Sequence, residues 1–230
     1  YKTATVKNGQ ESGKVPFFQM ASGKKTAVSM MHNSEAQGFY RDSSSFELVS
    51  LPFCGKSDFP YPGAKVKTCR DAGDYVLDLI LPKVEARKLA EKFPAAEYGE
   101  AVKKAAVERL DLHVPKFKFG YGAEQPKSFV PFLNKLGMKK AFTSSAEMTP
   151  MGKSSVSNVF LDQVLQKTAV EMEEGGFKAA AVTAVTATTE SANVVPSKRI
   201  AFDRPFLFVL RDTKTGALPF FGLVANPQWK

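Results

Sequence analysis

An α+β chain with more strand than helix is what this sequence predicts, and three observations carry that reading. Runs dense in β-branched and aromatic residues recur at 46–53 (FELVSLPF), 75–82 (YVLDLILP) and within the closing stretch 204–227. Helical periodicity is confined to 84–110 and to the short segment 128–138. Nineteen Phe among 230 residues, with 43% hydrophobic and 24% charged residues, require a sizeable core and exclude a disordered or collagen-like chain.

In chain order, VPFFQMASGKKTAVSMMH at 15–32 reads as two short strands around the turn Ala21-Ser22-Gly23. The strand at 46–53 follows. The strand at 75–82 lacks strict alternation, which predicts burial on both faces. The Gly-, Pro- and Asp-rich stretch 55–74 between them reads as a surface loop. VEARKLAEKF and AAEYGEAVKKAAVERL form two helices broken at Pro94. LHVPKFKFGYG at 112–122 alternates apolar and basic residues like a half-exposed strand, and SFVPFLNKLGM is a short helix ended by Gly137. VFLDQVLQKTAVEMEE at 159–174 fits a helix or a long strand equally well. RPFLFVLRDTKTGALPFFGLVANP closes the chain as two apolar strands joined by a turn at Thr213–Gly216. There is no internal repeat.

Charge and motif content remove several function classes. The net charge of +9 permits contact with nucleic acid or sulfated polysaccharide. The Lys residues are scattered, however, without aromatic stacking platforms, so a solvated basic surface and no nucleic-acid partner are expected. No run of about 18 apolar residues occurs, so no membrane-spanning helix is expected. His32 and His113 are too few for most zinc enzymes, carry no second ligand at helical spacing and accompany no GxSxG turn. They read as surface histidines or satisfied core histidines. Gly55-Lys56-Ser57 and Gly152-Lys153-Ser154 mimic the end of a phosphate-binding loop, but Ser50 and Glu147 stand where the earlier Gly is needed. No catalytic residue, metal or cofactor is therefore assigned, and the chain is not expected to be an enzyme. Cys54 and Cys69 fit no zinc spacing. A disulfide clipping the loop between them is the favoured reading, with two free thiols as the alternative. A bond there would indicate a secreted, periplasmic or cell-surface location.

Residues 173–195, EEGGFKAAAVTAVTATTESANVV, behave like neither an ordinary loop nor an ordinary strand. After Gly175-Gly176, the thirteen residues Phe177 to Thr189 are almost wholly Ala, Val and Thr. Loop punctuation by Gly, Pro, Asn and Asp is missing, and so are large core side chains. Extended, this piece would span about 43 Å at ~3.3 Å per residue. Small β-capable side chains would let it slot between two existing strands, while a buried strand or an Ala-rich helix are the plainer alternatives.

This segment, followed some twenty residues later by FDRPFLFVLRDTKTGALPFFGLVANP, resembles the carboxy-terminal part of a serpin. The family's closing pattern is matched by Phe220, Phe221, Gly222, Val224, Asn226 and Pro227, and VPKFKFG, FLNKLGMKKAFT and GKKTAVSMM resemble earlier family segments in the right order. The resemblance implies a mixed fold with a large central β-sheet and further sheets. It also implies that 1–230 is a single serpin domain lacking its amino-terminal helices, either a fragment or one piece of a larger fold whose missing segment is a partner.

By that resemblance the chain is a protease inhibitor that offers residues about 174–195 as bait. The protease attacks, forms an acyl-enzyme and is trapped when the cut loop inserts as a strand. Glu174, Gly175, Gly176 and Phe177 match the hinge, and Ala179, Ala180, Ala181 and Thr183 the small-residue run that inserts. Counting seventeen residues from Glu174 places the reactive bond at Glu190–Ser191. The chain departs from the family at Phe177, where Thr or Ser is usual, at Gly175, and at Gln166, which matches a His of the central sheet. The expected target is a serine protease, with a cysteine protease as second class. An elastase-like or Glu-preferring enzyme fits better than a trypsin-like one, because Lys178 lies in the hinge and Lys198 and Arg199 far downstream. The alternative is a non-inhibitory serpin used as a carrier, chaperone or storage protein.

Overall fold

A computed structural model describes residues 2–4, 16–53, 74–121, 127–148, 159–173, 176–177 and 198–229. In order these hold strands β1 (Lys2–Ala4), β2 (Phe17–Gln19), β3 (Lys25–Ala27), β4 (Met30–Asp42), β5 (Phe46–Pro52) and β6 (Tyr75–Pro82). Helices α1 (Ala86–Glu91) and α2 (Ala95–Lys104) follow, then β7 (Ala106–Pro115), β8 (Phe117–Tyr121), β9 (Lys127–Ser128) and helix α3 (Val130–Lys135). The last strands are β10 (Leu165–Gln166), β11 (Thr168–Glu173), β12 (Gly176–Phe177), β13 (Lys198–Ala201), β14 (Phe206–Asp212) and β15 (Phe220–Val224). The chain divides into two compact units, one made of 1–118 with 171–230 and the other of 119–170.

The first unit is built on an eight-stranded sheet of order β13-β7-β4-β5-β6-β14-β15, with β1 also paired to β4. Its pairings are antiparallel except β13 on β7, which is parallel. Leu48, Ile80 and Leu207 stand abreast on β5, β6 and β14, and with Phe46 and Val209 they meet Leu89 of α1 and Tyr98 and Ala101 of α2. Amphipathic helices thus cover one face of the sheet. On the opposite face Val49, Leu79 and Phe208 stand abreast, all buried, and the Phe117 ring meets those of Phe206 and Phe208 at 6.1 and 5.9 Å. Strand β6 is buried along both faces from Val76 to Pro82, as its lack of strict alternation predicts.

Phe208 reaches over Gly222, its direct neighbour on β15. A Cβ at Gly222 would lie 2.4 Å from the ring, inside any contact distance. Gly222→Ala is therefore expected to lower stability by about 1–3 kcal/mol through overpacking. A denaturant midpoint unchanged from wild type in the full chain would contradict this packing.

One charged group lies in the centre of the helix-covered face. Asp78 is fully buried, accepting a hydrogen bond from Tyr98 Oη at 2.5 Å and one from Arg211 Nε at 2.8 Å. Arg211 Nη2 adds a longer contact of 3.4 Å to the other carboxylate oxygen. Burial first, and the neighbouring carboxylate second, push the Tyr98 phenol well above its usual value. Burial works to lower the Arg211 pKa, but hydrogen bonding to Asp78 outweighs it and holds the guanidinium above its ordinary value.

Two expectations change, and one open alternative closes. The residues Ala106–Leu110 are strand, not the end of a helix, because each pairs with β4 and β13 joins β7 from Leu110 onward. Helix propensity of an Ala-rich stretch yields to that pairing. The thirteen-residue strand β4 runs far past His32, and its polar stretch with a register shift between Asn33 and Ala36 hid it. Of the two readings of 159–174, strand is the one that holds, as two short strands at Leu165–Gln166 and Thr168–Glu173 rather than one long one, with Val170 and Met172 buried at a spacing of two.

The second unit carries α3, with Pro131 in its first turn and Gly137 just beyond its end at φ 98°, as expected. Strand β9 pairs with β10, Ser128 opposite Leu165, and Leu161 N–H donates to the Ala141 carbonyl. The two-strand reading of 15–32 holds in part, since β2 and β3 pair around Gly23, whose φ of 82° suits the turn. The closing hairpin β14–β15 forms as expected, with the turn at 213–216 carrying Gly216 at φ 73°.

Candidate functional site

Just ahead of the residues expected to form the hinge runs β11, whose alternation of half-buried Thr168 with buried Val170 and Met172 marks a strand with one face against a core. Strand β12 runs antiparallel to it, Met172 opposite Phe177 and Glu173 opposite Gly176. The chain therefore reverses direction between Glu173 and Gly176. The three-stranded sheet has the order β12-β11-β8, so among the described residues Gly176 and Phe177 form its edge. Lys118 of β8 and Glu171 of β11 lie 3.4 Å apart.

Downstream, β13 resumes at Lys198 on a different sheet. It pairs in parallel with β7, Lys198 opposite Leu110 and Ala201 opposite His113. The Lys198 ammonium lies 3.9 Å from the centre of the Tyr40 ring. The Tyr40 hydroxyl in turn donates to Glu47 at 2.6 Å. Asp203 continues the anchor, its carbonyl accepting from the Gln19 N–H at 2.7 Å. The strands on either side of residues 178–197, β12 and β13, thus belong to two different sheets.

Of the residues singled out from sequence, Gly176 and Phe177 fall on β12. Glu174, Gly175, Ala179, Ala180, Ala181, Thr183, Glu190 and Ser191 lie outside the described residues, as do Cys54 and Cys69. Gln166 is exposed on β10, where its amide donates to the Thr168 hydroxyl at 3.4 Å.

A constellation that sequence reasoning missed joins the two histidines. His32 on β4 and His113 on β7 are direct cross-strand neighbours, and their rings stack with centroids 4.3 Å apart and planes 10° from parallel. Asp111, two residues before His113 on the same face, places Oδ1 2.6 Å from His32 Nε2 and 3.2 Å from His113 Nε2. The second contact is too poorly aligned for a hydrogen bond, and His113 Nε2 is left without a hydrogen-bond partner. Burial pushes the His113 imidazole below its usual pKa, against the pull of Asp111. Burial works to raise the Asp111 pKa, but its hydrogen bond with His32 and the nearby His113 hold it below the usual carboxylate range. The signal present in the sequence is the Asp-x-His spacing on a strand, which puts both side chains on one face; the search for ligands at helical spacing passes over it.

The architecture matches the protease-inhibitor fold known as the serpin. The thermophilic serpin tengpin in its native state superposes with a TM-score of 0.69 at 25% identity, over 91% of this chain and 49% of that one. The family model described as Serpin (serine protease inhibitor) matches residues 9–227, and the chain belongs to that family. Human Serpin B8 is 30% identical over 210 residues, covering 91% of this chain and 51% of its own length. Leukocyte elastase inhibitor A of Rattus norvegicus is 28% identical over 191 residues, covering 79% of this chain and 46% of its own length. The chain spans about half the length of the curated relatives it matches.

Proposed function

We propose that this chain carries the bait, hinge and insertion machinery of an inhibitory serpin. The observation that carries the reading is the position of β12. Gly176 and Phe177 pair with β11 at the edge of the three-stranded sheet, so a continuation of the same strand through Ala179–Ala181 and Thr183 would extend that edge residue by residue. The composition of 177–189 suits such a strand, because Ala, Val and Thr pair without demanding a deep pocket. The firm anchorage of β13 supports it too. Once the bond is cut, only the hinge side is free to move, and the acylated residue travels with it.

The reactive bond is assigned to Glu190–Ser191, and the target to a serine protease with an elastase-like or Glu-preferring pocket. Thr, Ala and Val around the bond suit small pockets. The similarity to a relative named leukocyte elastase inhibitor points the same way. Because the chain spans half of its relatives, the domain is completed by an amino-terminal serpin segment, and the tests apply to the complete protein.

Mixing the complete protein with a panel of serine proteases is expected to give a band at the summed mass on a denaturing gel. Cleavage with no such band across the panel would sink the trap and leave the carrier or storage reading. Mass spectrometry of the carboxy-terminal peptide, separated under denaturing conditions, is expected to find a new amino terminus at Ser191. A terminus outside Thr188–Val195 would refute the placement.

A further inference from the structure

Among the described residues, His32, Asp111 and His113 are the three metal-ligating side chains that gather, with one donor atom from each within 4.8 Å of the others. We propose that they bind one divalent transition-metal ion, with zinc the best fit to the donor set and water completing the coordination.

Two imidazoles and one carboxylate are a set of borderline hardness that suits Zn²⁺ and its neighbours rather than Ca²⁺ or Mg²⁺, which take oxygen ligands. Tetrahedral bonds of about 2.0–2.2 Å place donor atoms roughly 3.3–3.5 Å apart. The carboxylate oxygen already lies 2.6 and 3.2 Å from the two ring nitrogens. Stacked rings aim their lone pairs side by side rather than at one point. Binding therefore requires each ring to turn about its Cβ–Cγ bond until the two lone pairs converge.

The scaffold favours the site. His32 and His113 are fixed as direct partners in an antiparallel pair, and β13 holds the far edge of β7 at Asp111 and His113. His113 Nε2 has no hydrogen-bond partner, and in the tautomer protonated at Nδ1 its lone pair is one that an ion would satisfy. The His32 side chain is 41% exposed, which leaves a path for the ion and room for water, while Asp111 and His113 are more enclosed at 25% and 19%. Arg199 stands opposite Asp111 in the register, and its charge opposes a cation and restrains the affinity. The bound ion would clamp β4 to β7 through side chains as well as through the backbone ladder.

The test uses the complete protein, stripped with chelator and then titrated with Co²⁺ and with Zn²⁺. One equivalent of Co²⁺ is expected to give visible absorption of four-coordinate intensity, and Zn²⁺ is expected to displace it. His32→Gln, at the most exposed position, should leave the circular dichroism unchanged and weaken binding at least about 10-fold. Asp111→Asn should act in the same direction. No saturable binding up to about 1 mM metal would overturn the site. So would one-to-one binding that survives both substitutions. Neither result bears on protease trapping, which is read separately on the denaturing gel.

Discussion

Ala181→Pro is expected to convert the protein from a trap into a substrate. If the bait continues β12 as a strand, Ala181 pairs with β11 on one side and with a strand of the proposed amino-terminal segment on the other, so proline there removes a ladder N–H and its ring opposes extended pairing. The cost is about 3 kcal/mol or more if the figure for a helix interior is a guide. Cleavage at Glu190–Ser191, nine residues away, should hardly change. What changes is the race between insertion and deacylation, in which each ~1.4 kcal/mol added to the insertion barrier slows it about tenfold. The protease should cut the variant, regain activity and leave no covalent complex. The cut variant should also lack the rise in melting temperature that a new central strand confers. Unchanged trapping stoichiometry would mean that this segment does not insert.

The largest effect on stability is expected at Asp78. Asp78→Ala leaves the Arg211 guanidinium and the Tyr98 hydroxyl buried without their shared acceptor. Removing one partner of a buried pair costs about 3–5 kcal/mol, well beyond the typical point substitution. Tyr98→Phe is the control. It removes one hydrogen bond while the ion pair stays, so it should cost only about 0.5–1.5 kcal/mol. Replacing Asp78, Tyr98 and Arg211 together by apolar residues of similar volume should recover most of the loss, because no charge is then stranded. Denaturant unfolding of the four proteins decides the matter. Equal midpoints for Asp78→Ala and Tyr98→Phe would show that the carboxylate is not the centre of this network.

The sequence was most legible where local chemistry and tertiary pairing agree. Strand β6 reads as a buried strand because apolar residues occupy both alternating sets around the lone Asp78, and the β14–β15 hairpin because a polar turn separates two apolar runs. Legibility failed where pairing overrode composition. The helical register of AAEYGEAVKKAAVERL continues past Lys104, yet Ala106–Leu110 are held by pairing with β4. Strand β4 was cut short for the converse reason, since Asn33, Ser34, Glu35 and Gln37 break the alternation that marks a strand. The expected hinge rests on composition alone, with Gly175-Gly176 ahead of a run of small residues. The His32–Asp111–His113 cluster was not legible in the sequence. Its members lie 79 and 81 positions apart along the chain, and only the register of two strands brings His32 to the other two.

The placement of β14 bears on what the protein becomes once the bait is cut. If the cut falls at Glu190–Ser191, the residues from Ser191 onward are severed from the rest, yet their strand β14 lies between β6 and β15 and buries Phe206 through Leu210. Such a piece does not diffuse away. The nicked molecule stays a single particle in native buffer and shows two chains only when denatured. Its refolding changes order as well: what folded as one chain must now reassemble from two, so the rate of recovery after unfolding should rise with protein concentration.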